Sequence, residues 1–278
     1  MSCEKHIAEF ENYLKREEKS WATIEKYRRD ILSFYRYLNA NHLSSINKEI
    51  VVEFKEHLKE RYRTSSVNSM LTAINGYLQF IGEKHCCVKL LKVQKQIFAE
   101  EEKELSKTEY QKLVKAAQNT RLSFILQTIC GTGIRISELQ YITVEAVRAG
   151  KAAVNCKNKT RIIFIPMFLQ KILKEYIKKT GLKAGAVFVS RNGRPLNRSN
   201  IWREMKALCR KADVSPQKVF PHNLRHLFAR TFYSIEKDIV KLADMLGHSS
   251  INTTRIYTIE SGNRHRAHLE QVQKILTT

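Results

Sequence analysis

The stretch LADMLGHSSINTTRIYT, residues 242–258, decides how this chain is read. Gly247 ends one helix, because a residue free to take positive φ closes a helix at low cost. Ser249 or Ser250 caps the next. His248 lies in the joint between them, where a side chain can face a site. Tyr257 follows nine positions after His248, toward the end of a short second helix. On its own Tyr257 is one of eleven tyrosines, and a tyrosine there can equally pack in a core.

Upstream, PHNLRH (221–226) puts His222 and Arg225 three apart on one helix face. The pair offers a planar phosphate clamp and a group that titrates near neutrality. An HxxR motif is weak alone, since any basic protein has several. In GTGIRISEL (131–139), Gly131 and Gly133 allow a tight turn beside Arg135. Arg135 sits between apolar Ile134 and Ile136, and Glu138 can hold its guanidinium. A purely structural Arg–Glu pair is an equal reading of those residues. AAVNCKNKTRIIFIP (152–166) carries two β-rich runs, 152–156 and 161–165, around a polar turn at Lys157–Thr160, which predicts a hairpin.

These residue types suit one kind of chemistry. Attack on a phosphodiester needs a nucleophile, cations for the charge gathering on the non-bridging oxygens, and an acid for the leaving oxygen. A metal can fill the last two roles, but the chain has no DxD, no HExxH and no carboxylate cluster. Arg, Lys and His must then serve, and no cofactor is expected.

The bulk numbers agree with a polyanion partner. The 278 residues hold 49 Lys+Arg against 27 Asp+Glu, a net charge of +22. Residues 1–100 contain 17 basic and 13 acidic side chains, a net of +4; the remaining 32 and 14 give +18. The second part should therefore carry most of the polyanion contact. The six cysteines have no CxxC pattern and suit free thiols in a reducing cytosol. The N-terminal stretch has no apolar leader, and no apolar run reaches the ~20 residues of a membrane helix. A soluble, cytoplasmic protein is expected.

Few prolines and glycines interrupt the chain, so helices should dominate. Amphipathic stretches around Ile7–Leu14, Ile24–Leu38, Ile50–Leu58 and Val67–Ile81 predict four helices, with Ser20 opening the second and Gly82 closing the fourth. Glu100, Glu101 and Glu102 suit a linker. Ser106 and Glu109 read as a capping box that starts a new domain. That gives a helical domain over 1–96, a linker over 97–105 and a second domain over 106–278. In the second domain AVFVS (186–190) can add a third strand, and helices are expected over 198–212, 222–234, 236–246, 250–258 and 264–276.

Taken in order, Arg135 in GTGIRISEL, His222 and Arg225 in HNLRH, and LGHSS followed by Tyr257 resemble the Arg, His-x-x-Arg, His and Tyr set of the tyrosine recombinase (phage integrase) family. SWATIEKYRRDILSFYRYL (20–38) is similar to that family's core-binding domain, so the resemblance covers nearly the whole chain. In size it looks like the short Xer-type members. The implied fold is mainly α with a small β-hairpin or sheet: a helical core-binding, DNA-clamping domain and a mixed α/β catalytic domain.

The resemblance also implies roles. Tyr257 attacks the scissile phosphate and forms a 3′-phosphotyrosyl bond. Arg135 and Arg225 hold the non-bridging oxygens, His222 manages the tyrosine proton, His248 hydrogen-bonds the phosphate, and Glu138 supports Arg135. A hairpin lysine protonates the leaving 5′ oxygen. The family's glycines are missing around it here, so Lys157 is the choice and Lys159 the alternative. The partners implied are double-stranded DNA and further copies of the chain, two on each duplex and four in a synapse. The tail HLEQVQKIL (268–276) can dock on a neighbouring copy or on its own domain. Two rival readings remain: DNA relaxation of the type IB topoisomerase kind, and a non-catalytic DNA-binding protein on the same scaffold. Integration, excision, inversion and dimer resolution share one such site.

Overall fold

The computed structural model describes residues 3–93, 101–156, 159–190, 192–248, 250–257 and 262–276. The chain divides into two compact units, Met1–Lys95 and Gln96–Thr278.

The first unit is helical: α1 (Cys3–Arg16), α2 (Trp21–Ala40), α3 (Lys48–Arg61) and α4 (Thr64–Phe80). Local chemistry sets the ends. Ser20 Oγ accepts the Thr23 amide at the start of α2, and Asn47 Oδ1 accepts the Ile50 amide at 2.9 Å at the start of α3. Gly82, at φ +87°, follows the end of α4. The apolar stripes meet as the spacing predicts. Phe34, Phe54, Leu71 and Leu78 form one buried cluster, with the Phe34 and Phe54 rings 5.0 Å apart. Ile7, Phe10, Ile24, Ile31 and Tyr77 form another. Truncating a ring such as Phe54 would cost about 3–5 kcal/mol, because a close-packed core does not fully collapse around the void.

In the second unit, α5 (Lys107–Ala116) opens on the reciprocal Ser106–Glu109 capping box. Then follow α6 (Arg121–Thr132), α7 (Val144–Ala149), the antiparallel hairpin β1 (Lys151–Cys156) and β2 (Lys159–Phe164), α8 (Met167–Thr180), α9 (Arg198–Ala212), α10 (Pro221–Glu236), α11 (Ile239–Leu246), α12 (Ile251–Thr254) and α13 (Gly262–Leu276). Helix α6 is the central rod: Leu122, Ile125, Leu126 and Ile129 are buried, and it packs on α5, α8, α9 and α10. Among the described residues, no helix is long and apolar enough to cross a membrane.

Several expectations change. Residues 186–190 form no strand; only the isolated bridges Thr143↔Ala186 and Val189↔Pro195 form there. The partner segment turns into α7 at Val144, which ends the ladder after the Val144–Gly185 and Val187–Ile142 backbone bonds. Strand β2 starts at Lys159, paired with Cys156, so pairing reaches two residues nearer the turn than the β-rich run suggests. The helix expected over 250–258 is α12 followed by a 3₁₀ turn, Arg255–Tyr257, with residue 258 outside the described residues. Gly131 lies inside α6, and the tight turn belongs to Gly133 alone. Residues 97–100 of the expected linker are outside the described residues, and Glu101–Lys103 form a 3₁₀ turn. In α13 the side chains of Leu269, Val272, Ile275 and Leu276 are exposed.

Candidate active site

Helix α6 ends on Gly133, whose φ of +66° turns the chain into Ile134–Arg135. Only glycine fits there, since a Cβ would lie 2.4 Å from the Phe228 ring. Arg135 then opens the 3₁₀ turn Ile136–Tyr141, and Glu138 folds back to meet it. The Arg135 amide donates to Glu138 Oε2 at 2.7 Å and its Nη1 donates to Glu138 Oε1 at 3.0 Å. Its Nη2 reaches the Gly247 carbonyl at 3.3 Å.

Glu138 is 1% exposed and has a second guanidinium partner. Arg161, on β2, donates from Nη1 to Oε1 at 3.0 Å and from Nη2 to Oε2 at 2.7 Å. Burial pushes the Glu138 carboxyl up, but the Arg135 amide and the two guanidiniums outweigh it and hold the pKa below the ordinary range. Glu138 is therefore a fixed anion.

Helix α10 begins with Pro221 at its first position and supplies His222, Arg225 and His226. Arg225 is 2% exposed. Nη1 donates to the Gly133 carbonyl at 2.5 Å, and Nη2 reaches the Leu246 carbonyl at 2.7 Å and His248 Nε2 at 3.0 Å. Burial first, then Arg135, lowers its pKa to about 10, while neighbouring Tyr257 and Glu138 act the other way. It remains cationic at neutral pH. Helix α11 closes on Gly247 at φ +64°, which delivers His248. Ser250 caps α12, its side chain accepting the Asn252 amide. His248 Nδ1 is 2.9 Å from Thr254 Oγ1, so one imidazole bridges Arg225 and α12.

Tyr257 is 3% exposed and packs with Ala229, Leu242 and Leu246. Its ring stands edge-on to His226 at 4.5 Å and nearly parallel to His248 at 5.9 Å. His226 also stands edge-on to His222, again at 4.5 Å. Burial lowers the pKa of His226 to about 4, helped by His222 and Arg225. Burial and then Arg225 and Arg135 do the same for His248, also to about 4. His222 reaches solvent, yet desolvation on its packed side and the charges of Arg225 and Arg135 lower its pKa too. In the absence of an anion the three imidazoles are neutral at pH 7.

Arg135, His222 and Arg225 line an open cleft of about 1300 Å³, continued by Arg198, Trp202 and Arg203 of α9. The cleft is cationic, of a size and sign to receive a phosphate. Tyr257, His248 and Glu138 do not line it, but Glu138 and His248 bond the lining residues Arg135 and Arg225. The structure thus brings six of the eight expected residues together: Arg135, Glu138, His222, Arg225, His248 and Tyr257. Lys157 lies outside the described residues, as does the side chain of Lys159. Among the described residues, the group of possible metal ligands found is Glu83, His85 and Cys86, in the first unit.

Two residues of this site escaped the sequence reading. Arg161 shares the inward face of β2 with buried Ile163 and stands opposite Val154. A charge in phase with buried residues on a strand was the available signal. His226 lies four residues after His222, on the same face of α10, and that spacing could have marked it.

Comparison with known proteins gives the family. The profile described as "Phage integrase family" matches residues 103–264, more than half of the chain, and "Phage integrase, N-terminal SAM-like domain" matches residues 7–85. The chain is 30% identical over 271 residues to the tyrosine recombinase XerA of Thermococcus kodakarensis, covering 91% of this chain and 89% of that protein. It is 28% identical over 270 residues to the tyrosine recombinase XerD of Halalkalibacterium halodurans, covering 88% and 89%. The fold also resembles that of a lambda integrase dimer bound to a COC′ core site, with TM-score 0.74 at 18% identity over 94% of this chain and 97% of that one. The chain belongs to the phage integrase family and is a site-specific DNA recombinase of the tyrosine type.

Proposed function

We propose that this chain cuts and rejoins double-stranded DNA through a 3′-phosphotyrosyl bond to Tyr257. The observation that carries the reading is that Tyr257 sits against His226 and His248 and beside the Arg225 guanidinium. A phenol is a weak nucleophile unless cations favour its ionised form. Arg135 and Arg225 hold the two non-bridging oxygens. His222, neutral and at the rim, takes the tyrosine proton, and His248 hydrogen-bonds the phosphate once its Nε2, which here accepts from Arg225, is released and carries the ring proton. Lys157, with Lys159 as the alternative, protonates the leaving 5′ oxygen. The phosphodiester energy is kept in the phosphotyrosine, so the chemistry calls for neither ATP nor a metal. Tyr257 must leave its packed position to attack, giving up two ring contacts worth about 1–3 kcal/mol together, which the new phosphate contacts can offset.

On this reading residues 1–96 form a DNA-clamping domain, residues 97–105 a linker and residues 106–278 the catalytic domain, acting in the cytoplasm. The protomers assemble on DNA, two to a duplex and four in a synapse. Lambda integrase solved as a tetramer on a Holliday junction supports that expectation. The excess of +18 in residues 101–278 supports the assignment of phosphate contacts to the second unit. Relaxation by a lone topoisomerase-like protomer and a non-catalytic role are both less favoured, because the similar proteins are recombinases and the arginines and Tyr257 are all present.

The test is Tyr257→Phe on a nicked suicide substrate, run on a denaturing gel. Loss of the protein–DNA adduct with DNA binding retained is expected, since only a hydroxyl is removed. A surviving adduct would overturn the assignment.

A further inference from the structure

We infer that Arg161 is a positioning residue for the reaction, presenting Arg135 to the scissile phosphate by gripping Glu138 from behind. The inference rests on the reading of Arg135 as a phosphate-holding group.

Glu138 has two oxygens and about four lone-pair directions. All four are taken. Oε1 accepts from Arg135 Nη1 and Arg161 Nη1, and Oε2 accepts from the Arg135 amide and Arg161 Nη2. The two guanidiniums differ in exposure. The Arg161 side chain is 14% exposed and that of Arg135 is 37% exposed. Arg161 spends both terminal nitrogens on the carboxylate. Arg135 spends one, and its Nη2 makes only the longer bond to the Gly247 carbonyl. Arg161 is thus built as an anchor, and Arg135 as the group that remains able to turn toward a ligand in the cleft.

The charges explain why an anchor is needed. Glu138 alone beside Arg135 would hold the guanidinium in a private ion pair and compete with the phosphate for it. With Arg161 taking half of the carboxylate's capacity, that competition weakens and the carboxylate cannot swing. The carboxylate then aims Arg135 rather than neutralising it. Arg161 is fixed in turn by its surroundings. It projects from the buried face of β2, and it lies directly under Gly247, where even a methyl group would meet its Nη1 at 2.6 Å. The same side chain therefore underlies the joint that carries His248, and belongs to the hairpin that carries Lys157 and Lys159.

The experiment uses the full chain with Arg161→Met, Arg161→Lys, Glu138→Gln and the double variant Arg161→Met/Glu138→Gln. Single-turnover cleavage of a nicked suicide substrate is measured at saturating DNA, alongside the DNA dissociation constant. R161M should cleave roughly 30-fold more slowly, the scale of losing a charge-assisted hydrogen bond, with its DNA affinity within about three-fold of the parent. R161K, which keeps the charge but not the fork, should recover part of the rate. The double variant should be no slower than the slower single, because both substitutions break one chain of contacts. A parental rate for R161M, a multiplicative loss in the double variant, or a loss confined to DNA affinity would each overturn the inference. Should R161M fail to fold, the same cycle run with R161K decides it. Failure of the unsubstituted chain to form any adduct would instead indict the catalytic reading itself.

Discussion

A Gly247→Ala substitution perturbs two things at once, and a second glycine separates them. Gly247 closes α11 at φ +64°, where a residue with a Cβ costs about 1–2 kcal/mol. The new Cβ would also lie 2.6 Å from Arg161 Nη1 and 2.7 Å from Arg161 Cδ. Arg161 is long, but both terminal nitrogens are held by Glu138, so it can move aside only by giving up part of that grip. A hydrogen bond to a charged partner contributes about 1.5–3 kcal/mol, which brings the total to roughly 2.5–5 kcal/mol. Gly181 closes α8 at φ +69° with nothing within 4 Å of its would-be Cβ, so Gly181→Ala should cost only the backbone strain. For a domain of this size each kcal/mol moves the melting temperature about 2–4 °C, giving a drop of roughly 5–20 °C for G247A against about 2–8 °C for G181A, so that G247A should lose more than twice as much. Thermal denaturation checks the stabilities, and single-turnover cleavage should fall for G247A alone. Equal drops in both variants, or unimpaired cleavage by G247A, would refute the picture of Arg161 packed under the His248 joint.

Acid should destabilise the DNA-free protein. His226 and His248 titrate at about 4 when folded against 6.5 ordinarily, so the unfolded chain binds more protons between those values. Stability is then fully present above pH 6.5 and is lost as pH falls toward 4; urea midpoints at pH 7.5 and 5 that coincide would contradict this. His226→Asn should flatten that slope by up to about one proton, read from the same titrations. For the hairpin, a 5′-bridging phosphorothiolate leaves without protonation and should rescue Lys157→Ala but not Lys159→Ala. The reverse pattern would make Lys159 the general acid.

Much of the site was legible because its residues occur in local signals. The glycine turn before Arg135, the HxxR spacing on α10 and the Gly–His joint before Tyr257 each show in a few consecutive residues. The caps at Ser20 and Ser106 mark where helices begin. What stayed hidden depends on the tertiary fold. Arg161 in NKTRIIF reads as one more surface cation until β2 is packed, when its phase with Ile163 turns it inward onto Glu138. The segment AVFVS has the composition of a strand, yet its neighbour turns into α7 after two residues, and no ladder can grow. For Tyr257 the sequence offered a nucleophile in a site or a packed core tyrosine; in this structure it is buried among Ala229, Leu242 and Leu246, where it touches two imidazoles. No local pattern encodes that, because the contacts come from α10, α11 and the joint at once.

The most direct test is to trap the covalent complex on a nicked suicide substrate, digest it with protease and nuclease, and locate the remaining nucleotide by mass spectrometry. A nucleotide joined through its 3′ phosphate to the peptide containing Tyr257 is expected. A nucleotide on any other residue, or joined through a 5′ phosphate, would contradict the catalytic role given to Tyr257.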